Sequence, residues 1–246
     1  MIDRPAPIPS PMTTDGPATP ALSAWRSRAA WTWVVLACAL AIVADLASKQ
    51  LAFARVANHP VVVLREDVIR VSHTPELGPR FISQPEAGIV PFHNALVVVP
   101  RLLNFQLVLN PGAVFGIGPG KRAFFVGFTV LALVFGMAMF AKWTSPRDRF
   151  AHAAIGLLIG GGLGNLYDRL AFACVRDFIH PLPDLHWPFK WEFMGSREVW
   201  PYVSNLADLF LLIGIVMLLA HLWKRDREAE KALANRPAAA SAPPTA

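Results

Sequence analysis

The sequence has little charge and very little cysteine. Charged residues make up 16% of its 246 residues, whereas soluble proteins carry about 25%. Hydrophobic residues supply 54%, and the mean hydropathy is +0.41 although the chain contains 22 prolines. A soluble globular fold is therefore excluded. The two cysteines, Cys38 and Cys174, lie in or beside apolar segments and form neither a disulfide framework nor a Cys-x-x-Cys metal site.

The net charge of +6 and the pI near 9.8 could indicate a nucleic-acid partner. The basic residues are scattered, however, and several of them lie next to long apolar runs. That placement is typical of membrane orientation rather than of a phosphate-binding face. The sequence therefore predicts a lipid bilayer as the environment and no nucleic acid.

Four apolar segments predict transmembrane helices at about residues 30–53, 123–141, 150–168 and 203–223. At 1.5 Å per residue, roughly 20 residues cross a ~30 Å hydrocarbon core. Two long loops, 54–122 and 170–202, separate the first two helices and the last two. These elements predict a membrane domain over residues 26–225. The ends, 1–25 and 226–246, lack an apolar pattern and are predicted to be disordered.

The short flanks of the helices carry basic residues on one side of the predicted membrane. These residues are Arg26, Arg28, Lys142, Arg147, Arg149, Lys224, Arg225, Arg227 and Lys231. The positive-inside rule therefore predicts that both termini are cytoplasmic and that the two long loops face outward. The first segment is predicted to be a retained helix rather than a cleaved leader, because its apolar run continues past Cys38.

The two loops differ in pattern. Four apolar stretches of the first loop, separated by Pro and Gly, predict a small β-sheet on the outer surface; they are Val61–Leu64, Val68–Val71, Leu96–Val99 and Phe105–Leu109. The second loop is rich in Trp, Pro and Phe, which predicts an interfacial segment at the headgroup zone.

The third helix carries a stripe of small residues followed by polar ones. Gly156, Gly160 and Gly164 recur every four residues and predict close contact with another helix. Asn165, Asp168 and Arg169 then share one face near the outer end. An Asp168–Arg169 pair that closes the helix and a role in a polar site are both compatible with this spacing.

Two aspartates are predicted to meet at the outer membrane edge. Asp177 lies in an apolar stretch, where a carboxylate is unfavourable without a partner or a function. Asp208, three residues after Asn205, could by itself be a helix cap or dipole partner. Two carboxylates in a poorly solvated site share one proton. Such a pair could hydrolyse a peptide by general acid–base catalysis without a metal.

The first helix carries Asp45, Ser48 and Lys49 near its outer end. Ser48 and Lys49 are adjacent, about 100° apart on a helix, and so do not form a nucleophile pair. Asp45 and Lys49 are one turn apart and predict an ion pair. Asn110–Gly116 has small residues that allow close approach of backbone or ligand, although a simple turn would also explain them.

Five blocks in this order resemble the lipoprotein signal peptidases, the type II signal peptidases of bacteria. The resemblance covers residues 30–225, and its blocks are Asp45–Lys49, Asn110–Phe115, Gly161–Arg169, Val175–Phe178 and Asn205–Asp208. Pro111, Val114 and Arg176 depart from the residue types that the resemblance leads us to expect.

The resemblance implies an intramembrane aspartic endopeptidase of the inner membrane, with its active site near the outer face. Such enzymes cut prolipoproteins before a diacylglyceryl-modified cysteine, need no cofactor and bind globomycin-type inhibitors. Asp177 and Asp208 match the catalytic pair. The positions around the site are Asp45, Lys49, Asn110, Gly112, Asn165, Asp168, Arg169 and Asn205.

Three other functions compete with the peptidase. A transporter or proton relay would also place ionisable residues within membrane helices. A catalytically inactive scaffold would lack one carboxylate, and none is missing. A metal site at His180, Asp184 and His186 has no helical His-x-x-x-His pair and no thiolate cluster to support it.

Overall fold

The structure is a computed structural model that describes residues 23–74, 82–112, 122–192 and 196–235. Its four long helices are α1 (Arg28–Arg55), α3 (Arg122–Trp143), α4 (Arg149–Ala171) and α5 (Leu206–Ala234). All four are long and apolar enough to cross a membrane. The prediction of a mainly helical protein with four membrane helices is confirmed.

Different sequence features determine where α5 begins and where it ends. Asn205 caps its start, because the Asn205 side chain accepts from the Asp208 N–H and the Asp208 side chain accepts from the Asn205 N–H; this is a capping box. The helix continues to Ala234 through charged residues that are good helix formers, including the Lys224–Glu228 pair. Residues 226–234, predicted to be disordered, are therefore helical. Residues 1–22 and 236–246 lie outside the described residues.

Helix α4 is the centre of the bundle and packs mainly against α1 and α5. Its glycines make this possible. A Cβ added to Gly160 would stand 2.6 Å from the Cys38 carbonyl oxygen of α1, and one added to Gly161 would stand 2.6 Å from the Ala207 carbonyl oxygen of α5. Gly156 meets the α1 backbone in the same way. The predicted close contact along the glycine stripe is confirmed.

A three-stranded antiparallel sheet lies at one end of the bundle, which we call the sheet end. Its strands are β1 (Leu96–Val99), β2 (Leu103–Asn110) and β3 (Val175–Pro181), in the order β1-β2-β3. In the β2–β3 register Val108 pairs with Asp177 and Asn110 pairs with Val175. Because β3 begins four residues after α4 ends, this register brings Asn110 and Asp177 to the end of the helices.

The loop predictions are correct in part. Leu96–Val99 and Phe105–Leu109 lie in the sheet as predicted. Val68–Val71 lies instead in a helix, α2 (Arg65–His73), so its strand prediction is wrong. Val61–Leu64 is in neither a helix nor a strand.

The reason for the error in α2 is visible in its burial. Val68 and Val71 are buried, and charged residues occupy the positions around them. A spacing of three residues places both valines on one helical face. They join a core beneath the sheet that includes Leu107, Leu109 and Phe178.

The segment between β3 and α5 folds back on itself through a bridge between His186 and Glu198. Phe189 and Trp191 on this segment are 85% and 65% exposed. Aromatic rings favour the headgroup zone of a bilayer, and the position of this segment at the interface stays a prediction.

Candidate active site

Two aspartates from different elements are joined by a chain of amide side chains at the sheet end. Asp177 comes from β3 and Asp208 from the first turn of α5. The Asn205 amide donates to Asp177 Oδ1 at 2.5 Å and to Asn165 Oδ1 at 3.1 Å. The Asn165 amide in turn donates to Asp208 Oδ1 at 2.8 Å. The two carboxyl groups therefore belong to one hydrogen-bonded chain.

The second oxygen of Asp177 is held from the sheet. The Asn110 side-chain amide at the end of β2 donates to Asp177 Oδ2 at 3.1 Å, and Asn110 Oδ1 accepts from the Gly112 N–H at 3.0 Å. Gly112 has φ +102°, and an added Cβ would stand 2.7 Å from the Phe125 ring of α3. Only glycine fits this conformation and this space. Ala113–Phe115, the rest of this sequence block, lies outside the described residues.

Asp208 is both a cap and a member of the site. Its backbone N–H donates to Asn205 Oδ1 at 3.1 Å, and its Oδ2 accepts from the Asn205 N–H at 3.4 Å. Its other oxygen remains for the bond from Asn165. The helix-cap interpretation of Asp208 is therefore confirmed, and capping also fixes the direction in which the carboxyl group points toward Asn165; its catalytic role stays a prediction.

A buried lysine lies behind the amide chain. Lys49 Nζ is 2.8 Å from Asp45 Oδ2, 3.0 Å from Asn165 Oδ1 and 3.3 Å from Asp168 Oδ2. All these charged groups are fully buried. Asp45 Oδ1 accepts from the Ala207 N–H at 2.9 Å, which ties α1 to α5. The predicted Asp45–Lys49 ion pair is confirmed.

The Asp168–Arg169 pair that the sequence allowed is not the contact that forms. Asp168 binds Lys49 and Arg176 instead. Arg169 donates to the Asn165 carbonyl oxygen at 3.2 Å, and its guanidinium carbon lies 5.6 Å from the centre of the Phe125 ring. The carboxylates of Asp208 and Asp177 are the charges that act on it most strongly. Arg169 therefore faces the aspartate pair.

The network joins all ten site residues that the sequence predicts. Each is linked to another by a hydrogen bond or an ion pair: Asp45, Lys49, Asn110, Gly112, Asn165, Asp168, Arg169, Asp177, Asn205 and Asp208. The elements α1, β2, α4, β3 and α5 all contribute. The sequence spacing within each block predicted the local faces, and the fold brings these faces together.

Arg176 is the site residue that sequence reasoning missed. Its side chain is 5% exposed, and its Nη2 lies 2.9 Å from Asp168 Oδ1. A lone arginine within an apolar stretch was the available signal, since a buried charge requires a partner. The sequence did not show which carboxylate that partner would be.

The environment of Asp177 favours a bound proton. Burial and the charge of Asp208 raise the pKa of Asp177 to about 8, against the opposing hydrogen bonds from Asn205 and Asn110. The carboxyl group is therefore mostly protonated at neutral pH. Burial also raises the pKa of the neighbouring Cys174 thiol, so that this cysteine is a poor nucleophile.

Across residues 23–74, 82–112, 122–192 and 196–235, no group of three or more His, Cys, Asp or Glu side chains could hold a metal ion. Two of the residues considered for a metal make other contacts. His180 lies 4.0 Å from Glu198, and His186 Nδ1 lies 2.7 Å from the Asp184 carbonyl oxygen.

Comparison with known sequences agrees with this geometry. The family model described as signal peptidase (SPase) II matches residues 37–224. The lipoprotein signal peptidase of Desulfitobacterium hafniense is 32% identical over 135 residues, which are 54% of this chain and 78% of that protein. The lipoprotein signal peptidase of Syntrophotalea carbinolica is 36% identical over 135 residues, which are 54% of this chain and 75% of that protein.

Comparison with solved structures supports the fold. One structure, described as a bacterial membrane enzyme, has a TM-score of 0.51 and 25% sequence identity, with coverage of 78% of this chain and 87% of that chain. The family match spans well over half of the sequence and includes every residue of the network. The chain therefore belongs to the signal peptidase II family and is a bacterial multi-pass membrane peptidase of lipoprotein processing.

Proposed function

We propose that this protein is an aspartic endopeptidase that removes the signal peptides of prolipoproteins by cutting before a diacylglyceryl-modified cysteine. The observation that carries the proposal is the pair of carboxyl groups of the buried Asp177 and the half-buried Asp208, joined through Asn205 and Asn165. The relatives named lipoprotein signal peptidases support the choice of substrate.

The mechanism uses one proton held by the pair. The ionised carboxylate takes a proton from water, and the resulting hydroxide attacks the scissile carbonyl carbon. The protonated carboxyl group donates its proton to the carbonyl oxygen. The carboxyl group that took the proton from water then donates it to the leaving amine as the C–N bond breaks, and the other carboxylate takes back a proton from the tetrahedral intermediate, which leaves a carboxylic acid and restores the pair. No covalent bond to the protein and no metal ion is needed.

The charge of the surrounding cluster supports a single shared proton. The cluster contains three basic and four acidic side chains: Lys49, Arg169, Arg176, Asp45, Asp168, Asp177 and Asp208. With one proton on the aspartate pair, three positive charges face three negative charges. A neutral cluster is the least unfavourable state in a poorly solvated site.

The remaining residues have positioning roles in this proposal. Asn110, Asn165 and Asn205 donate to the carboxyl groups and fix their orientation. Gly112 leaves room for the Phe125 ring. The buried ion pairs of Asp45, Lys49 and Asp168 hold α1 and α4 together behind the pair, and Arg169 extends toward it.

We also propose the orientation in the membrane. The ends of α1, α3, α4 and α5 opposite the sheet carry the basic residues of the short flanks, so the positive-inside rule assigns both termini to the cytoplasm. The sheet end and the aspartate pair then face outward. The diacylglyceryl chains of the substrate remain in the bilayer, and globomycin-type inhibitors compete with the substrate for the site at the aspartate pair.

Substitution of each aspartate tests the proposal. Asp177→Asn and Asp208→Asn preserve the size of the side chain but remove the ability to share a proton. Each should lower cleavage of a diacylated prolipoprotein in membranes by about 10²–10⁴-fold, which is the usual contribution of acid–base catalysis. Asp184→Asn, on an exposed turn, is the matched control and should retain activity. Wild-type turnover in either of the first two variants would exclude the pair.

A further inference from the structure

Arg176 lies at the start of β3, directly before Asp177, and binds one carboxylate with both its backbone and its side chain. Its backbone N–H donates to Asp168 Oδ2 at 3.0 Å. Its Nη2 donates to Asp168 Oδ1 at 2.9 Å, and its Nε lies 3.3 Å from the same oxygen. The end of α4 and the beginning of β3 are therefore fastened at one point.

The guanidinium plane of Arg176 is also held on its other sides. It stacks over the Phe172 ring, with the guanidinium carbon 4.2 Å from the ring centre, and its Nη1 lies 3.4 Å from Gln50 Oε1. An apolar cavity of about 250 Å³ adjoins it. Lysine cannot reproduce this arrangement, because an ammonium group neither forks onto a carboxylate nor stacks on a ring.

The contacts of Asp168 lead from Arg176 to the aspartate pair. Asp168 Oδ2 lies 3.3 Å from Lys49 Nζ, and Lys49 donates to Asn165 Oδ1 at 3.0 Å. This bond fixes the orientation of the Asn165 amide, which must present its NH₂ group to Asp208. Arg176 therefore acts on both aspartates. It acts on Asp177 through the backbone and on Asp208 through the contacts of Asp168, Lys49 and Asn165.

We propose that Arg176 is a positioning residue for the peptidase reaction, which acts through Asp168 to set both the placement of Asp177 and the charge around the pair. This inference rests on the proposed function. The sequence resemblance does not lead us to expect arginine at this position.

Three variants separate the geometry of Arg176 from its charge. Arg176→Met removes both, Arg176→Lys keeps the charge but loses the fork, and Arg176→Gln keeps a hydrogen-bond donor but loses the charge. We expect Met to lower kcat by about 10–100-fold, the usual effect of losing an outer partner of a reactive group, with KM within about twofold. Lys should restore less than half of that loss. Arg55→Met, at the exposed end of α1, is the matched control.

The pH dependence supplies a readout that a purely structural role would not change. The titratable and charged groups of the cluster around the aspartate pair are Asp45 and Lys49 on α1, Asp168 and Arg169 on α4, Cys174, Arg176 on β3 and Asp208 on α5. Loss of the Arg176 charge leaves excess negative charge near the pair, which raises carboxyl pKa values. The alkaline limb of the pH profile of kcat should therefore move to higher pH in Arg176→Met and Arg176→Gln and stay in place in Arg176→Lys.

Each outcome decides the question. A lower kcat together with the shifted alkaline limb in Arg176→Met or Arg176→Gln supports the inference. If Arg176→Met does not fold, Arg176→Gln and Arg176→Lys provide the test. An unchanged kcat, or a loss of activity that leaves the pH profile unchanged in all three variants and follows only the yield of folded protein, overturns it. If Asp177→Asn is inactive and Arg176→Met has wild-type activity, this inference alone is refuted. If Asp177→Asn is active, the proposed function is refuted.

Discussion

The two ends of the helix bundle are buried in different ways. At the sheet end the interior is ionic, and its carboxyl, amide and ammonium groups make contacts of 2.5 to 3.3 Å. At the opposite end the interior is aromatic: Trp25, Trp31 and the buried His152 pack around Phe140, with Trp31 and His152 edge-on to its ring. His221 Nε2 there lies 3.8 Å from an oxygen of Asp148.

This difference shows what each end requires. An aromatic cluster needs only close contact, and its members can be exchanged for others of similar volume at modest cost. A buried ionic network loses stability sharply when one member is removed, because a charge remains without a partner. We therefore expect substitutions at the sheet end to affect activity, and those at the opposite end to affect stability alone.

The largest effect is expected from Lys49→Met. Asp45 and Asp168 would then lie buried without the ammonium group between them. Breaking a buried pair in this way costs about 3–5 kcal/mol, and cleavage should be lost with it. The measurement is the free energy of unfolding in detergent micelles, beside a cleavage assay. Lys142→Met, exposed at the opposite end, should change neither, and an equal loss in both variants would contradict the comparison.

Two helix caps give the next effect and the cleanest contrast. Asn205 caps α5 at the sheet end, and Ser27 caps α1 at the opposite end by accepting from the Ala30 N–H. Replacement of either by alanine should lower stability by about 1 kcal/mol. Only Asn205→Ala should also lower kcat, by about 10–100-fold, because the Asn205 amide bridges Asp177 and Asn165. Similar kcat values for the two variants would show that Asn205 is a cap and nothing more.

The smallest expected loss of activity concerns two glycines of the same helix. A Cβ added to Gly156 would stand 2.5 Å from the Val34 carbonyl oxygen, whereas one added to Gly164 would collide with the Asp45 carboxylate. Both alanine variants should lose about 1–3 kcal/mol of stability, as overpacked sites do. Only Gly164→Ala should lose activity per folded molecule, because Asp45 is bonded to Lys49. Thermal unfolding and cleavage normalised to folded protein distinguish the two.

Much of the fold was predictable because apolar run length is a local property. The four helices, the glycine stripe and the Asp45–Lys49 pair all follow from spacing along one segment. The charged extension of α5 and the helix α2 were not predicted, because in both the apolar pattern is short or absent.

The site residues also divide into those that local spacing predicts and those that depend on the path of the chain. The spacing of Asn165 and Asp168 placed them on one face, and this face does line the site. The pairing of Asp168 with Arg176, by contrast, depends on how β3 turns back beside the end of α4. The sequence also allowed an ion pair between the adjacent residues Asp168 and Arg169. Only the three-dimensional path of the chain shows that this pair does not form.

The claim on which the account depends is that Asp177 and Asp208 hold one proton between them. Burial and the neighbouring carboxylate raise the pKa of Asp177 to about 8, so the proton is present at pH 7 and is lost as the pH rises. The direct measurement is kcat/KM for prolipoprotein cleavage as a function of pH, which reports the pKa values of the free enzyme. We expect a plateau near neutrality and a fall of about tenfold per pH unit above about pH 8. A rate that stays constant to about pH 10, in an enzyme that remains folded, would contradict the shared proton.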